Sequence, residues 1–320
     1  MIKAGIIGGA GYTAGELIRI LVNHPQVEIA FVNSESNAGN PVTDVHEGLI
    51  GDTDLVFCSE YDLNAIDVLF LCGAHGKSGE YWKEHECPDT LKVIDLAQDF
   101  RDESYGYVYG LAEWQRQKIR TATKVANPGC FATAIQLSLL PLAKAGLLDD
   151  EIHITAITGS TGAGVKPGST THFSWRNNNI SIYKVFQHQH LLEIGRNLTA
   201  IQGRQLNDIN FVPVRGDFAR GIFASVYTDC GLSEEDTVKL YKDYYKDAAF
   251  TFVSDRSVDL KQVVGTNKCI IHVEKHGSKI VVSTVVDNLL KGASGQAVQN
   301  MNIMFGLPEN EGLKLKAIAF

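Results

Sequence analysis

Long apolar runs are missing: no stretch of the 320 residues approaches the roughly 20 apolar residues that a membrane-spanning helix needs, which excludes a helical membrane protein. Basic residues are in short supply as well. The 29 Lys and Arg stand against 37 Asp and Glu, a formal net charge of -8. Without a broad cationic field the driving force for binding phosphate backbones is absent, so nucleic acid is excluded as a general partner. An anionic small molecule stays open, because a few arginines in a pocket bind phosphate whatever the overall charge. The six cysteines (Cys58, Cys72, Cys87, Cys130, Cys230, Cys269) form no CxxC pair and no zinc spacing, and they read as separate thiols of a reducing compartment. The first residues are broken by glycines, followed by Glu16, and lack a secretory cleavage site. No internal repeat or flexible linker interrupts the chain. The expectation is a cytoplasmic protein of two domains, or of one with a large insertion.

What is present has a clear order. Residues 2–8 read as a buried strand, 13–23 as a helix and 27–33 as a second strand; 65–72 and 91–96 are further strands, with a helix around 81–86 between them. Strands alternating with helices imply βαβ crossovers and a mostly parallel sheet. After Cys130 the texture changes. Residues 131–140 form a helix apolar on nearly every side, which Pro141 is expected to interrupt, and from Ile152 onward strand patterns dominate. These suggest an antiparallel or mixed sheet with one covering helix over 234–249, and a last helix over 296–306 that returns to the first domain.

Between the first strand and helix stands Gly8-Gly9-Ala10-Gly11-Tyr12-Thr13-Ala14-Gly15, a variant of the dinucleotide fingerprint. Glycine lets the backbone approach a pyrophosphate, and the helix start offers unpaired N–H donors. A plain glycine turn is the bland alternative, which the position between a buried strand and an amphipathic helix argues against. The second strand ends in Ser34-Glu35-Ser36, where the adenosine ribose belongs. Glu35 favours a free 2′-hydroxyl and hence NAD, whereas Ser34 and Ser36 suit a 2′-phosphate and hence NADP; Glu35 also fits a solvated loop that never meets the cofactor.

Cys130 follows Asn127-Pro128-Gly129 and opens the apolar helix, where amide donors and the helix dipole favour a thiolate. A nucleophilic thiol together with a nicotinamide cofactor points to one chemistry: an acyl phosphate becomes a thioester, which then accepts hydride. The candidate acid/base residues are His188 and His190 in Phe-Gln-His-Gln-His, on one face if the segment is extended. Metal binding by His-x-His lacks further ligands at matching spacing, so no metal is expected.

Asn127-Pro128-Gly129-Cys130-Phe131-Ala132-Thr133, with Pro141 downstream, resembles the active-site signature of the N-acetyl-γ-glutamyl-phosphate reductases of arginine biosynthesis. The likeness extends through GGAGYTAGEL, VIDLAQDFR, VYGL, Arg220-Gly221-Ile222 and VVDNLLKGASGQAVQNMN. It implies an α/β chain: a Rossmann-type NADP-binding domain over 1–129 and about 297–320, and an α+β catalytic and oligomerisation domain over 130–296 like that of glyceraldehyde-3-phosphate and aspartate-semialdehyde dehydrogenases. It implies NADPH as reductant, Cys130 as nucleophile, and the catalytic histidine in this region, His190 ahead of His188 because it precedes the Glu193-Ile194 turn. Asn300 is placed at the nicotinamide, and His75 and Gly76 along the cofactor pocket. Arg101 and Arg220 are assigned to the phosphate and carboxylate of the substrate, since a guanidinium fork suits both groups, although either also reads as an ion pair. Ser160 in the loop Gly159 to Gly164 offers a hydroxyl near the reacting carbonyl.

Two departures from the family pattern matter. Glu35 replaces an arginine, which weakens the preference for NADPH over NADH. Leu191-Leu192 before Glu193, and Val165-Lys166-Pro167 after the glycine loop, reshape the acyl pocket, so that succinyl as well as acetyl substrates are expected. The competing readings are an aspartate-semialdehyde dehydrogenase and a non-catalytic NADP-binding regulator. A homo-oligomer, dimer or tetramer, is expected from an apolar sheet face in the second domain.

Overall fold

Apolar runs too short for helices build the sheet of the first unit. β1 (Ile2–Ile7) leads through α1 (Tyr12–Leu21) to β2 (Val27–Asn33) and β3 (Phe57–Cys58). Then follow β4 (Val68–Leu71), α2 (Lys77–Glu84), β5 (Lys92–Asp95), β6 (Tyr107–Tyr109), α3 (Ala112–Thr121) and β7 (Lys124–Ala126). The seven strands lie in the order β3-β2-β1-β4-β5-β7-β6, and every pairing is parallel. Parallel strands are buried on both faces by their crossovers, and Val68, Leu69 and Phe70 accordingly expose no surface. Helix α1 buries Ala14, Leu17, Ile18 and Leu21, the stripe of a 3.6-residue period. The strand order reverses at β1, which has β2 on one side and β4 on the other. The crevice outside the carboxyl ends of two such strands is where a doubly wound sheet takes its ligand.

The computed structural model describes residues 1–318 and divides into two units: Met1–Gly129 with Ala293–Lys314, and Cys130–Gly292 with a short segment starting at Leu315. The second unit runs α4 (Cys130–Lys144), β8 (Ile152–Thr158), α5 (Phe173–Arg176), β9 (Ser181–Ile182), α6 (His190–Gln202) and β10 (Ile209–Arg215). It continues through β11 (Ile222–Asp229), α7 (Glu234–Tyr245), β12 (Thr251–Ser254), β13 (Cys269–His276) and β14 (Lys279–Val286), and α8 (Gly295–Met304) returns to the first unit. Its seven-stranded sheet, in the order β12-β13-β14-β11-β8-β10-β9, is mixed, with parallel pairs β12/β13 and β8/β10 among antiparallel ones. Helices α4, α6 and α7 pack on it, rather than the single covering helix expected from the sequence. Among the described residues no helix is long and apolar enough to cross a membrane.

Helix α4 is buried from Phe131 to Ala143 and does not stop at Pro141, contrary to expectation. Proline has no N–H, so the carbonyl of Leu137, four residues back, loses its helical donor. The Tyr245 hydroxyl of α7 donates to that carbonyl instead, and the neighbouring Tyr241 hydroxyl donates to Ser138 O. A tertiary hydrogen bond thus satisfies the acceptor that would otherwise end the helix. Tyr245→Phe is expected to lower stability by about 1–3 kcal/mol, the usual result of stranding a buried acceptor. In a Pro141→Ala background, where the backbone donor returns, the same change should cost clearly less. Urea denaturation of the four proteins of this cycle measures the difference, and equal costs in both backgrounds would refute the compensation.

Candidate active site

At the carboxyl end of β1 the chain turns at Gly8 with φ +80, and a Cβ there would lie 3.0 Å from the backbone of Cys72 and Gly73. Only glycine fits both demands. Gly11 is the N-cap of α1 and makes no side-chain cap, so the first amides of the helix, at Tyr12, Thr13 and Ala14, are offered to a ligand. His46, which the sequence did not single out, braces this loop: its Nε2 lies 2.7 Å from Gly9 O. The Ser294 hydroxyl donates to Thr13 O, fixing the start of α1 from the side. The loop and helix start fit a dinucleotide pyrophosphate. At the end of β2, the side-chain amide of Asn37 donates to both Ser34 Oγ and Ser36 Oγ, while Glu35 points into solvent. Each hydroxyl accepts from the amide and keeps its own hydrogen for a further acceptor.

His75 and Gly76 lie exposed ahead of α2; His75 Nδ1 accepts from the Gln98 N–H and the Gly76 N–H donates to Asp99. Asn300 has no exposed surface, and its Nδ2 donates to Gly110 O at 2.8 Å and Asn127 Oδ1 at 3.1 Å. It braces the turn before the cysteine. Arg101 is likewise buried, donating from Nε to Asn127 O and from Nη2 to Leu96 O. Both residues therefore hold the chain that carries Asn127. Close by, the fully buried Asp95 accepts from Ser78 Oγ and Ala97 N at one oxygen, while its Oδ2 has no partner among the described residues. Burial, aided by Asp99, raises its pKa to about 6 against the pull of those donors and of Arg101.

In the second unit Cys130 is the first residue of α4, half-exposed, with its sulfur at the helix start. The following Phe131 ring meets the His188 and His190 rings edge-on, at 5.4 and 6.2 Å between centroids, and the two imidazoles are 4.7 Å apart. The segment is not extended, as expected from the sequence, but a turn that runs into a helix. Lys184 and Phe186 take positive φ, and His190 opens α6, its N–H donating to His188 Nδ1. That bond leaves the proton of neutral His188 on Nε2. Burial, with the charges of Lys184 and Arg215, depresses the pKa of His188 to about 4, so it is neutral at pH 7. His190 has a carboxylate beside it, Glu193 Oε1 at 3.8 Å from Nε2. Tyr183 lies 5.7 Å from His188 between ring centroids; burial pushes its hydroxyl up to about 12, with the Cys130 charge adding to the rise and Arg215 opposing it.

Arg220 is paired bidentately with the fully buried Asp287, Nε and Nη2 each at 3.1 Å. Asp287 also accepts from the Gly265, Leu289 and Leu290 N–H groups, and its carbonyl accepts from Gly292 N. Gly292 lies in a π-helical turn, Leu290–Ser294, where a Cβ would come within 2.9 Å of Cys130 Cβ. Single π turns recur at functional sites, and this one lets the chain pass against Cys130. Ser160 is half-buried, its N–H donating to Phe218 O, and its neighbour Thr161 is tied to Ala219 O and to Asn288. The structure thus places Cys130, His188 and His190 in one unit, with Phe131, the residue after Cys130, against both imidazoles, and adds Tyr183 beside His188; Glu193, Asp287 and Gly292 stand in stretches already singled out in the sequence, whereas Tyr183 carries no signal there.

The chain matches two family models, "Semialdehyde dehydrogenase, NAD binding domain" over residues 3–122 and "Semialdehyde dehydrogenase, dimerisation domain" over residues 130–288. It belongs to the semialdehyde dehydrogenase family, whose members are oxidoreductases with a nicotinamide-binding domain. Inside that family its relatives are N-acetyl-gamma-glutamyl-phosphate reductases. Those of Azobacteroides pseudotrichonymphae and Phocaeicola vulgatus are 61% and 60% identical over 322 residues, covering 100% of both chains, and that of Bacteroides fragilis is 58% identical over the same length. The solved aspartate semialdehyde dehydrogenase II of Vibrio cholerae complexed with ASA superposes with a TM-score of 0.74 at 16% identity, covering 96% of this chain and 98% of that one. The enzyme of Candida albicans with NADP gives 0.73 at 13%, covering 97% and 99%. At such identity the likeness is one of fold, and the α/β architecture expected from the sequence holds.

Gly292→Ala is expected to lower kcat by about tenfold or more, since displacing a nucleophile by an ångström forfeits alignment. The rate of Cys130 alkylation should change with it, and unchanged values of both would refute the packing argument. Asp95 gives a stability prediction with a definite sign. Its folded pKa is raised, so between pH 3.8 and about 6 the folded state binds a proton that the unfolded state has released, and stability falls as pH rises through that window. The loss is on the order of 3 kcal/mol across the window and stays constant above it. Asp95→Asn should lack this slope in thermal melts from pH 4 to 7; an identical slope would refute the assignment.

Proposed function

We propose that this chain uses NADPH to reduce an N-acyl-γ-glutamyl phosphate, acyl being acetyl or succinyl, to the N-acyl-glutamate 5-semialdehyde, with release of phosphate. The observation that carries the chemistry is that Cys130 opens α4 and the next residue, Phe131, packs against the His188 and His190 rings. The substrate follows from the full-length likeness to the reductases. In this reading the Cys130 thiolate attacks the acyl carbon, the bond to phosphate oxygen breaks, and phosphate leaves with the electron pair, giving a thioester on the sulfur. When bound, the reduced nicotinamide supplies hydride to that carbon. His190, as an imidazolium stabilised by Glu193, protonates the resulting oxyanion, and the neutral imidazole takes the proton back as the thiolate is expelled. His188, neutral at pH 7, orients His190 through its backbone and does not exchange protons.

The cofactor preference rests on Ser34 and Ser36, whose hydroxyl hydrogens suit a 2′-phosphate, set against Glu35, which repels one. NADPH is preferred by a narrow margin, with NADH also used. Homo-oligomerisation is assigned to the sheet face opposite α4, where His153 stacks on Tyr227 at 4.8 Å beside Thr155 and Ser225.

The test follows NADPH oxidation with N-acetyl- and N-succinyl-γ-glutamyl phosphate, with β-aspartyl phosphate and NADH as comparisons. Cys130→Ala should abolish turnover while keeping cofactor affinity. His190→Asn should lower kcat by roughly 10²–10⁴-fold, the usual worth of a general acid–base residue, and His188→Asn by less. Faster reduction of the aspartyl compound, or an active Cys130→Ala protein, would overturn the reading.

A further inference from the structure

Arg215 ends β10, half-buried, with its guanidinium carbon 4.6 Å from the centre of the Tyr183 ring. Its Nε is buried and has no hydrogen-bond partner, and no carboxylate among the described residues pairs with it. Asp217, two residues on, is engaged with the Asn178 N–H. The backbone that carries Arg215 is fixed: the buried Arg176 donates to Arg215 O, and also to Thr170 O, Asn179 O and Ser181 Oγ. A cation seated on an aromatic ring and beside its hydroxyl, with Nε out of water and no carboxylate of the described residues paired with it, is an arrangement that an anion completes.

The other two arginines considered for this role are engaged, Arg220 with Asp287 and Arg101 with main-chain carbonyls. We infer that Arg215 is a substrate-binding residue, and that its guanidinium takes a carboxylate of the acyl-glutamyl substrate. The inference rests on the reading proposed above and names the residue that selects its substrate. A carboxylate is favoured over the phosphate by position. The phosphate is bonded to the carbon that the sulfur attacks and must lie at Cys130, whereas Arg215 is reached from Cys130 by way of Tyr183, the neighbour whose hydroxyl feels both charges. The part of the substrate remote from the reacting carbon bears the α-carboxylate, and in a succinyl compound the distal one as well.

The test uses the full chain and its Arg215→Gln and Arg215→Lys variants in the phosphate-dependent oxidation of N-acetyl- and N-succinyl-glutamate semialdehydes, with 4-acetamidobutanal as the analogue lacking the α-carboxylate. Arg215→Gln should raise KM for the carboxylate substrates by about tenfold or more and leave those for phosphate and NADP within about twofold. Arg215→Lys should restore part of the loss, because a point charge replaces a fork. The preference for acetylglutamate semialdehyde over 4-acetamidobutanal should shrink in Arg215→Gln if the α-carboxylate is the partner; a defect confined to the succinyl compound assigns the distal one. Unchanged KM values, or a rise for phosphate alone, overturn the inference. Calorimetric binding of N-acetylglutamate to the wild-type chain and to Arg215→Gln decides the matter independently of turnover: weaker binding to the variant supports the inference and equal binding refutes it. A wild-type chain inert toward every semialdehyde would instead count against the proposed reaction.

Discussion

Asp287 brings a charge into the interior of the second unit, and the position of Cys130 follows from how that charge is satisfied. Its two oxygens accept from Arg220 and from the Gly265, Leu289 and Leu290 amides, so every direction of approach is used. Removing one member of such a pair strands the other in a poor solvent, at a cost of about 3–5 kcal/mol. The chain after β14 has therefore one way to turn, and that turn places Gly292 against the Cβ of Cys130. The sulfur owes its place to α4 on one side and to this anchored turn on the other. A buried ion pair is weak evidence of stability in general, but here it fixes a register, which is its best-attested use.

The two histidines show how neighbours divide labour. Both are nearly buried and their rings are close, yet His188 faces Lys184 and Arg215 whereas His190 faces Glu193. Cations and burial together keep the first neutral; an anion steadies charge on the second. A pair of identical side chains placed in opposite fields is how a site obtains one structural and one proton-carrying group.

Much of this was legible in the sequence, and the remainder was hidden for identifiable reasons. Strands such as β2 and β8 announce themselves because burial on a sheet demands branched apolar residues, and the glycine loop because only glycine tolerates the turn at Gly8. The short strands β3, β6 and β7 have too few residues to show a period. Pro141 reads as a break because its replacement donor, Tyr245, is distant in sequence. His-x-His looks extended when read alone, since the positive φ values at Lys184 and Phe186 have no marker in side-chain type. An arginine declares its charge but not its counter-ion. Arg101 and Arg220 stand in recognisable motifs and are engaged with their own chain, while Arg215 stands in none.

That last contrast bears on how a chain of formal net charge -8 handles an anionic substrate. Attraction at long range is absent, so discrimination must come from a short-range, desolvated contact, where one oriented guanidinium is worth more than several solvated ones. Arg176 is nearly buried and spends its donors on carbonyls around one loop, and thereby holds the backbone of Arg215 still. Loss of freedom before binding is loss that need not be incurred during binding. One arginine immobilised by carbonyls thus preorganises another that lacks an anion, and the specificity of the site depends on the first as much as on the second.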